Sequence, residues 1–168
     1  MMCPIYLTEP KYMDLLKEYF TPWIVSNSIA ILFLVASIRK PKLARFLFVL
    51  LFSWACWLNY TTSHNNPNDY LLYSSFTPFT IYKEFIDGWF KENITSMVTF
   101  ISFGQVLIAF GMILKGWCVR IAGIGAMIFF LAISPLGIGA GFPAPVISIV
   151  SIYFILTKDD LNYLWSKT

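Results

Sequence analysis

Hydrophobic positions along the chain fall in long unbroken runs, and five segments stand out: 22–38, 43–60, 94–114, 117–134 and 139–157. A helix needs about 20 apolar residues to cross roughly 30 Å of hydrocarbon, so each run reads as a membrane-spanning helix. The fifth is the least regular. "GAGFPAP" opens it with glycines and prolines, and only 146–156 is cleanly apolar. Its outer end is expected to be kinked or non-helical, which is tolerated at membrane depth only where protein or a wet cavity shields the backbone.

Two stretches lie outside these runs. Residues 1–21 form an amphipathic lead-in, with Tyr12, Leu15, Leu16, Tyr19 and Phe20 at helical spacing and no signal-peptide pattern. Residues 61–93 read as a structured loop. Thr77-Pro78 supplies an N-cap and a proline at the first helical position. Tyr82, Phe85, Ile86, Trp89 and Phe90 then recur at i, i+3, i+4, i+7 and i+8, with Lys83, Glu84, Asp87 and Lys91 elsewhere on the wheel. This predicts an amphipathic helix at the outer interface, with Tyr82, Phe85 and Trp89 as an aromatic rim. Such a rim is either a lid on the bundle or a guide for a lipid-soluble substrate or partner.

Composition fixes the class. The 168 residues are 58% hydrophobic and 12% charged, whereas charged residues make up about a quarter of a soluble globular chain. A soluble domain of this size has too little interior for so much apolar surface. The expectation is an all-α integral membrane protein, a single domain with no nucleic-acid partner.

Charge sets the expected orientation. "RKPKLAR" holds Arg39, Lys40, Lys42 and Arg45 with no acid, and "KGWCVR" adds Lys115 and Arg120. The lead-in carries two lysines against three acids, and 61–93 two against four. By the positive-inside rule both basic turns are cytoplasmic. The N-terminus, 61–93 and "PLGIGAGFPAP" then face outward, and the C-terminus faces the cytoplasm.

Candidate chemistry is sparse. Cys3, Cys56 and Cys118 have no CxxC spacing. A single histidine, His64, excludes paired-histidine haem ligation within the chain. No flavin, iron–sulfur or metal site is visible, nor a phosphate-binding glycine loop. The glycines of "GIGAMIFFLAISPLGIGAG" suit close helix packing. Sequons at Asn59 and Asn93 hug a membrane edge and are expected to stay unoccupied.

What remains is a set of polar side chains at membrane depth: Asn27, Arg45, Gln105 and Arg120. Arg45 and Arg120 lie within a turn of the cytoplasmic edge, where they can snorkel. Gln105 is near the middle of its span. Its amide is either an interhelical tie worth about 0.6–2 kcal/mol or a contact for a bound carbonyl such as a quinone oxygen.

"SFGQVLIAFGMILKGWCVRIAGIGAMIFFLAI" (102–133) resembles the central hairpin of the DoxX/DoxD superfamily through Gly104, Gln105, Gly111, Gly116, Arg120, Ala122 and Gly123. "ARFLFVLLFSWACWLNYTT" is similar to that family's first core helix, and "NPNDYLLYSSFTPF" with "IYKEFIDGWF" to the outer segment of its DoxD branch. The resemblance covers about 43–156. It implies a four-helix DoxX/DoxD-like transmembrane bundle with one additional N-terminal transmembrane helix. The family often has Glu where this chain has Gln105; a carboxylate exchanges protons and an amide does not.

DoxD is linked to thiosulfate:quinone oxidoreductase, which couples two thiosulfates to tetrathionate while reducing a quinone, together with a second subunit, DoxA. The resemblance implies the membrane-embedded subunit of that enzyme, in the plasma membrane of a prokaryote, with quinone as substrate. The quinone is placed among Trp54, Trp57, Gln105 and the aromatic lid, with Arg45 and Arg120 holding the cytoplasmic end. Lys83, Lys91 and His64 are the cations of the long loop available to an outward anion site. A second reading is a non-catalytic accessory subunit of a respiratory quinol-oxidase complex, with larger terminal-oxidase subunits as partners. A third is a small transporter with "SPLGIGAGFPAP" at a pathway mouth.

Overall fold

The computed structural model describes residues 9–166. Cys3 and the side chains of Tyr12, Leu15 and Leu16 lie outside the described residues.

Helix α1, Glu9–Arg39, joins the expected lead-in and first span into one element that passes through Pro22. Beyond the proline, Trp23 Nε1 donates to the Phe142 carbonyl at 2.6 Å, and Asn27 Nδ2 donates to Gly141 O at 3.1 Å. These bonds tie α1 to the turn before the last helix. Helix α2, Pro41–Asn65, starts after Lys40 with proline in its first turn. It outlasts its apolar run by five residues, 61–65. Thr61 and Ser63 hydroxyls bond back to the Trp57 and Tyr60 carbonyls at 2.8 and 3.0 Å and keep its polar end helical.

A 3₁₀ turn, Pro67–Leu72, leads to α3, Tyr73–Phe76, and then to α4, Thr80–Phe85. The amphipathic helix expected here is split. A π-type turn, Ile86–Phe90, with non-helical backbone at Gly88, joins α4 to α5, Lys91–Ile113. Thr77 is not the N-cap; that position falls to Phe79. The Thr77 hydroxyl instead donates to Pro135 O at 2.6 Å and accepts from the Phe79 N–H at 3.4 Å. The long-range bond fixes the loop against a distant segment.

After the Lys115-Gly116 turn comes α6, Trp117–Ile133, then a 3₁₀ segment, Ser134–Ala140, and α7, Ala144–Lys158. The expected fifth span is therefore α-helical only from Ala144. At 15 residues α7 is about 22 Å long, short of the hydrocarbon thickness. Among the described residues four helical stretches have the length and hydropathy to cross a membrane: Tyr19–Arg39, Pro41–Asn65, Thr80–Ile113 and Trp117–Ala140. No strand occurs among the described residues. The architecture is all-α and multi-pass.

Helix α2 packs chiefly on α5, α1 on α7, and α6 between α5 and α7. Phe48, Phe52, Met112, Ala126, Ile152 and Ile155 form the centre, each at most 1% exposed. The α5–α6 hairpin closes at Gly111. A Cβ there would stand 2.7 Å from Ala122 Cβ, so only glycine lets the two backbones approach so closely.

Each end of the bundle is sealed differently. At the loop end, the 61–93 loop is bonded to the segment after α6. At the basic end, the tail 159–166 folds under the helix turns: Gly116 N–H donates to Leu161 O at 2.7 Å, and Leu164 N–H to Ile113 O at 3.2 Å.

Candidate functional site

Between the 61–93 loop and the helices is a cavity of about 640 Å³. Ile81, Tyr82 and Phe85 of α4 cover it, and Met97 and Ile101 of α5 and Phe129 of α6 form its deeper walls. A second apolar cluster continues its wall: Ile86, Phe90, Ile94 and Val98 are all buried, and all but Ile94 line the cavity. The helical periodicity of the loop thus divides two ways. Ile86 and Phe90 are buried in that cluster, Tyr82 and Phe85 are more open, and all four line the cavity.

The cover is held at its edges. Tyr82 Oη donates to Ala132 O at 3.1 Å across the rim, and Ser74 Oγ donates to Asp87 Oδ2 at 2.9 Å. Gly137, at φ +67°, abuts Phe76; a Cβ at this position would lie 2.7 Å from the Phe76 carbonyl oxygen.

Asn59 supplies the amide of the lining, and Tyr70, Tyr73 and Tyr82 its phenols. Tyr70 Oη donates toward Asn59 Oδ1 at 3.1 Å and Asn59 O at 3.2 Å. Asn59 Nδ2 donates to Gln105 Oε1, also at 3.1 Å. Gln105 is 1% exposed, and its Nε2 has no partner among the described residues. Burial, reinforced by Tyr73 and Asp69, pushes the Tyr70 phenol up to about 12, so it stays a protonated donor at neutral pH. Burial also raises the Tyr73 phenol.

The structure sorts the candidate residues. Gln105 lies one turn along α5 from the lining residue Ile101 and is not itself in the wall. Trp54 and Trp57 are 56% and 64% exposed on the outer face of α2 and take no part in the lining. The expected grouping of these three is therefore not formed around the cavity; Asn59 stands in their place. Of the rim residues, Tyr82 and Phe85 line the cavity, while Trp89 stacks on Phe85 with centroids 5.9 Å apart, outside it. His64 is occupied by its own helix, with Nδ1 2.8 Å from Tyr60 O. Lys83 and Lys91 are exposed, and neither is drawn into a site.

Asn27 is a tie between α1 and the turn before α7, as its bond to Gly141 shows. Arg120 is exposed and lies over the Trp117 ring, 5.7 Å from its centroid. Arg45 does not snorkel. It is 0% exposed; Nη1 stands 3.0 Å from Asp159 Oδ2, and Nη2 donates to the Asn162 carbonyl. Burial raises the Asp159 carboxyl above its usual range, against the pull of Arg45. The Asn162 N–H, with other bonds and Lys42, holds Asp160 down to about 2.

Sequence reasoning missed three participants: Asn59, Tyr70 and Asp159. Asn59 carried a signal, an amide one turn inside the polar end of a span, but it was legible only as a sequon. Asp159 had the signal of an acid immediately after an apolar run. Cys56 and Cys118 are both free thiols. No three His, Cys, Asp or Glu side chains cluster as metal ligands among the described residues.

No family model matches the chain, no curated protein matches it, and no solved structure matches its fold.

Proposed function

We propose that the chain is the membrane-embedded, quinone-binding subunit of a thiosulfate:quinone oxidoreductase, with the quinone ring in the cavity beneath α4. The binding half of this reading is carried by one observation: an aromatic, apolar cavity whose polar side chains are one amide, Asn59, and the phenols of Tyr70, Tyr73 and Tyr82. A quinone has the same division, an apolar ring and tail with carbonyl acceptors. The volume of about 640 Å³ lies within the 300–1,000 Å³ typical of small-molecule sites. The sulfur half rests on the resemblance of 102–133 and the outer segment to DoxX/DoxD proteins.

Two thiosulfates lose two electrons as the central S–S bond of tetrathionate forms. The quinone takes those two electrons and two protons to become quinol. In this reading a companion subunit resembling DoxA assists electron delivery. The chain sits in a prokaryotic plasma membrane with its loop end outward and its basic end in the cytoplasm.

A second reading, an accessory subunit of a quinol-oxidase complex, is favoured by the apolar faces of α5 and α6. Phe100 and Trp117 are each 76% exposed, and Ile121 is 67% exposed, so lipid or larger subunits can cover them. One experiment separates the two readings. The native assembly is extracted in mild detergent, and thiosulfate-dependent reduction of a short-chain quinone is followed. Activity from this chain with one small partner supports the first reading. An inactive preparation bound to large redox subunits supports the second.

A further inference from the structure

We propose that the cavity opens into the bilayer between α4 and the end of α6, and that a bound quinone leaves its tail outside this mouth. The tail lies along the face of α6 that carries Ile121, Ile124, Ile128 and Leu131. The inference rests on the quinone reading and adds where the ligand enters and how it lies.

The mouth is marked by residues that belong both to the lining and to the surface. Most of the lining is buried or half-buried. Ile81, Phe85 and Ala132 line the cavity and are nevertheless exposed, Ile81 at 73%. Ile81 and Phe85 lie one turn apart on α4, and Ala132 is in the last turn of α6. Tyr82 Oη donates to Ala132 O at 3.1 Å, so the two rims stand one tyrosine side chain apart. The opening lies along this bond.

What lies beyond the mouth is apolar. Lys83 and Glu84 of α4 are exposed but line no part of the cavity. On α6, Leu131, Ile128, Ile124 and Ile121 follow Ala132 at helical spacing on one face, and all are exposed. This helix belongs to a stretch long and apolar enough to cross a membrane, so the face lies against hydrocarbon. From Ala132 to Ile121 it runs about 16 Å, roughly half the hydrocarbon thickness. It descends from the loop end towards the basic end. A ligand whose ring sits in the cavity therefore points its tail into the bilayer in the same sense as a lipid. Its tail is never withdrawn from hydrocarbon, and only the ring has to be accommodated by the cavity.

Two photoreactive benzoquinones test this on the full chain in lipid nanodiscs. One carries an azide on the ring, the other a decyl chain ending in a diazirine. Labelled residues are mapped with and without an excess of untagged decyl-benzoquinone. The ring probe is expected on the cavity lining and the tail probe on the Ile121–Leu131 face, with both labels lost under competition. Label that the tail probe leaves on Phe103 and Phe110, exposed on α5, is expected to persist, because it comes from probe free in the lipid. Displaceable ring label in the cavity, with tail label on α6 no more displaceable than on α5, overturns the inference and leaves the quinone reading standing. Absence of displaceable ring label from the cavity overturns both. Ala132→Phe narrows the mouth and is expected to slow ring labelling several-fold; a wild-type rate in a variant of unchanged melting temperature also overturns the inference. The wild-type map needs no variant, so it decides the matter even if Ala132→Phe folds poorly.

Discussion

Arg45 and Asp159 meet at 3.0 Å with their side chains 0% and 2% exposed, so the basic end of the bundle is closed by an ion pair sealed from solvent. The Arg45 guanidinium also donates to the Asn162 carbonyl. A residue at the start of α2 therefore holds the tail beyond α7, and the order of the C-terminal segment depends on it. Breaking one side of such a pair leaves a buried unpaired charge, at about 3–5 kcal/mol. Asp159→Ala is expected to lower the melting temperature in detergent markedly, and the double variant Arg45→Met/Asp159→Leu to regain most of the loss. Equal damage from the single and double variants would show that packing, not charge, closes this end.

Alkaline stability follows from the phenols. The Tyr70 phenol ionises near 12 in the fold, against 10.0 for an ordinary tyrosine, so the folded chain holds its proton where the unfolded chain releases it. Stability from this group is complete below about 10 and is lost as pH rises towards about 12. Unfolding measured from pH 8 to 11.5 is expected to show a flat region followed by a decline. Tyr70→Phe shallows that decline, and the raised Tyr73 phenol supplies a further part of it. An unchanged slope in Tyr70→Phe would remove Tyr70 from the explanation.

The loop end depends on a glycine. Gly137 has φ +67°, and a Cβ on it would come 2.7 Å from the Phe76 oxygen. Gly137→Ala combines backbone strain with that clash, and a loss of about 1–3 kcal/mol is expected. Thr77→Val, which removes the bond to Pro135, is expected to cost about 1 kcal/mol. Thermal unfolding ranks the two; an alanine variant as stable as wild type would mean that the loop is not held at this point.

Gln105 separates an amide tie from a proton-carrying group. Gln105→Leu leaves Asn59 Nδ2 without its acceptor and is expected to cost about 1–3 kcal/mol. Gln105→Glu keeps an acceptor oxygen in place and is expected to cost less. Its carboxyl also makes quinone affinity depend on pH between 5 and 9 (roughly the range a buried carboxyl covers), where wild-type affinity stays flat. Titrating binding in both variants checks this, and a flat profile for Gln105→Glu would refute it.

The sequence by itself determined the class of the molecule and most of its helices, because hydrocarbon imposes a length and a composition that any spanning segment must meet. It also located the loop, its aromatic periodicity and the irregular start of the last helix, since proline and glycine act locally. It set Gln105 apart, because an amide in an apolar run is conspicuous. It did not show that Gln105 lies beneath the cavity wall while Asn59 lines it. Nor did it show that Trp54 and Trp57 point outward, that Thr77 bonds to Pro135, or that Arg45 is answered by Asp159. The two bonds join residues far apart in the chain, and the placements of Gln105, Asn59 and the tryptophans follow from how the helices pack. Apolar helix faces look alike in sequence whether lipid or protein covers them, and only the packing of α2 on α5 and the fold of the tail decide which polar atom meets which.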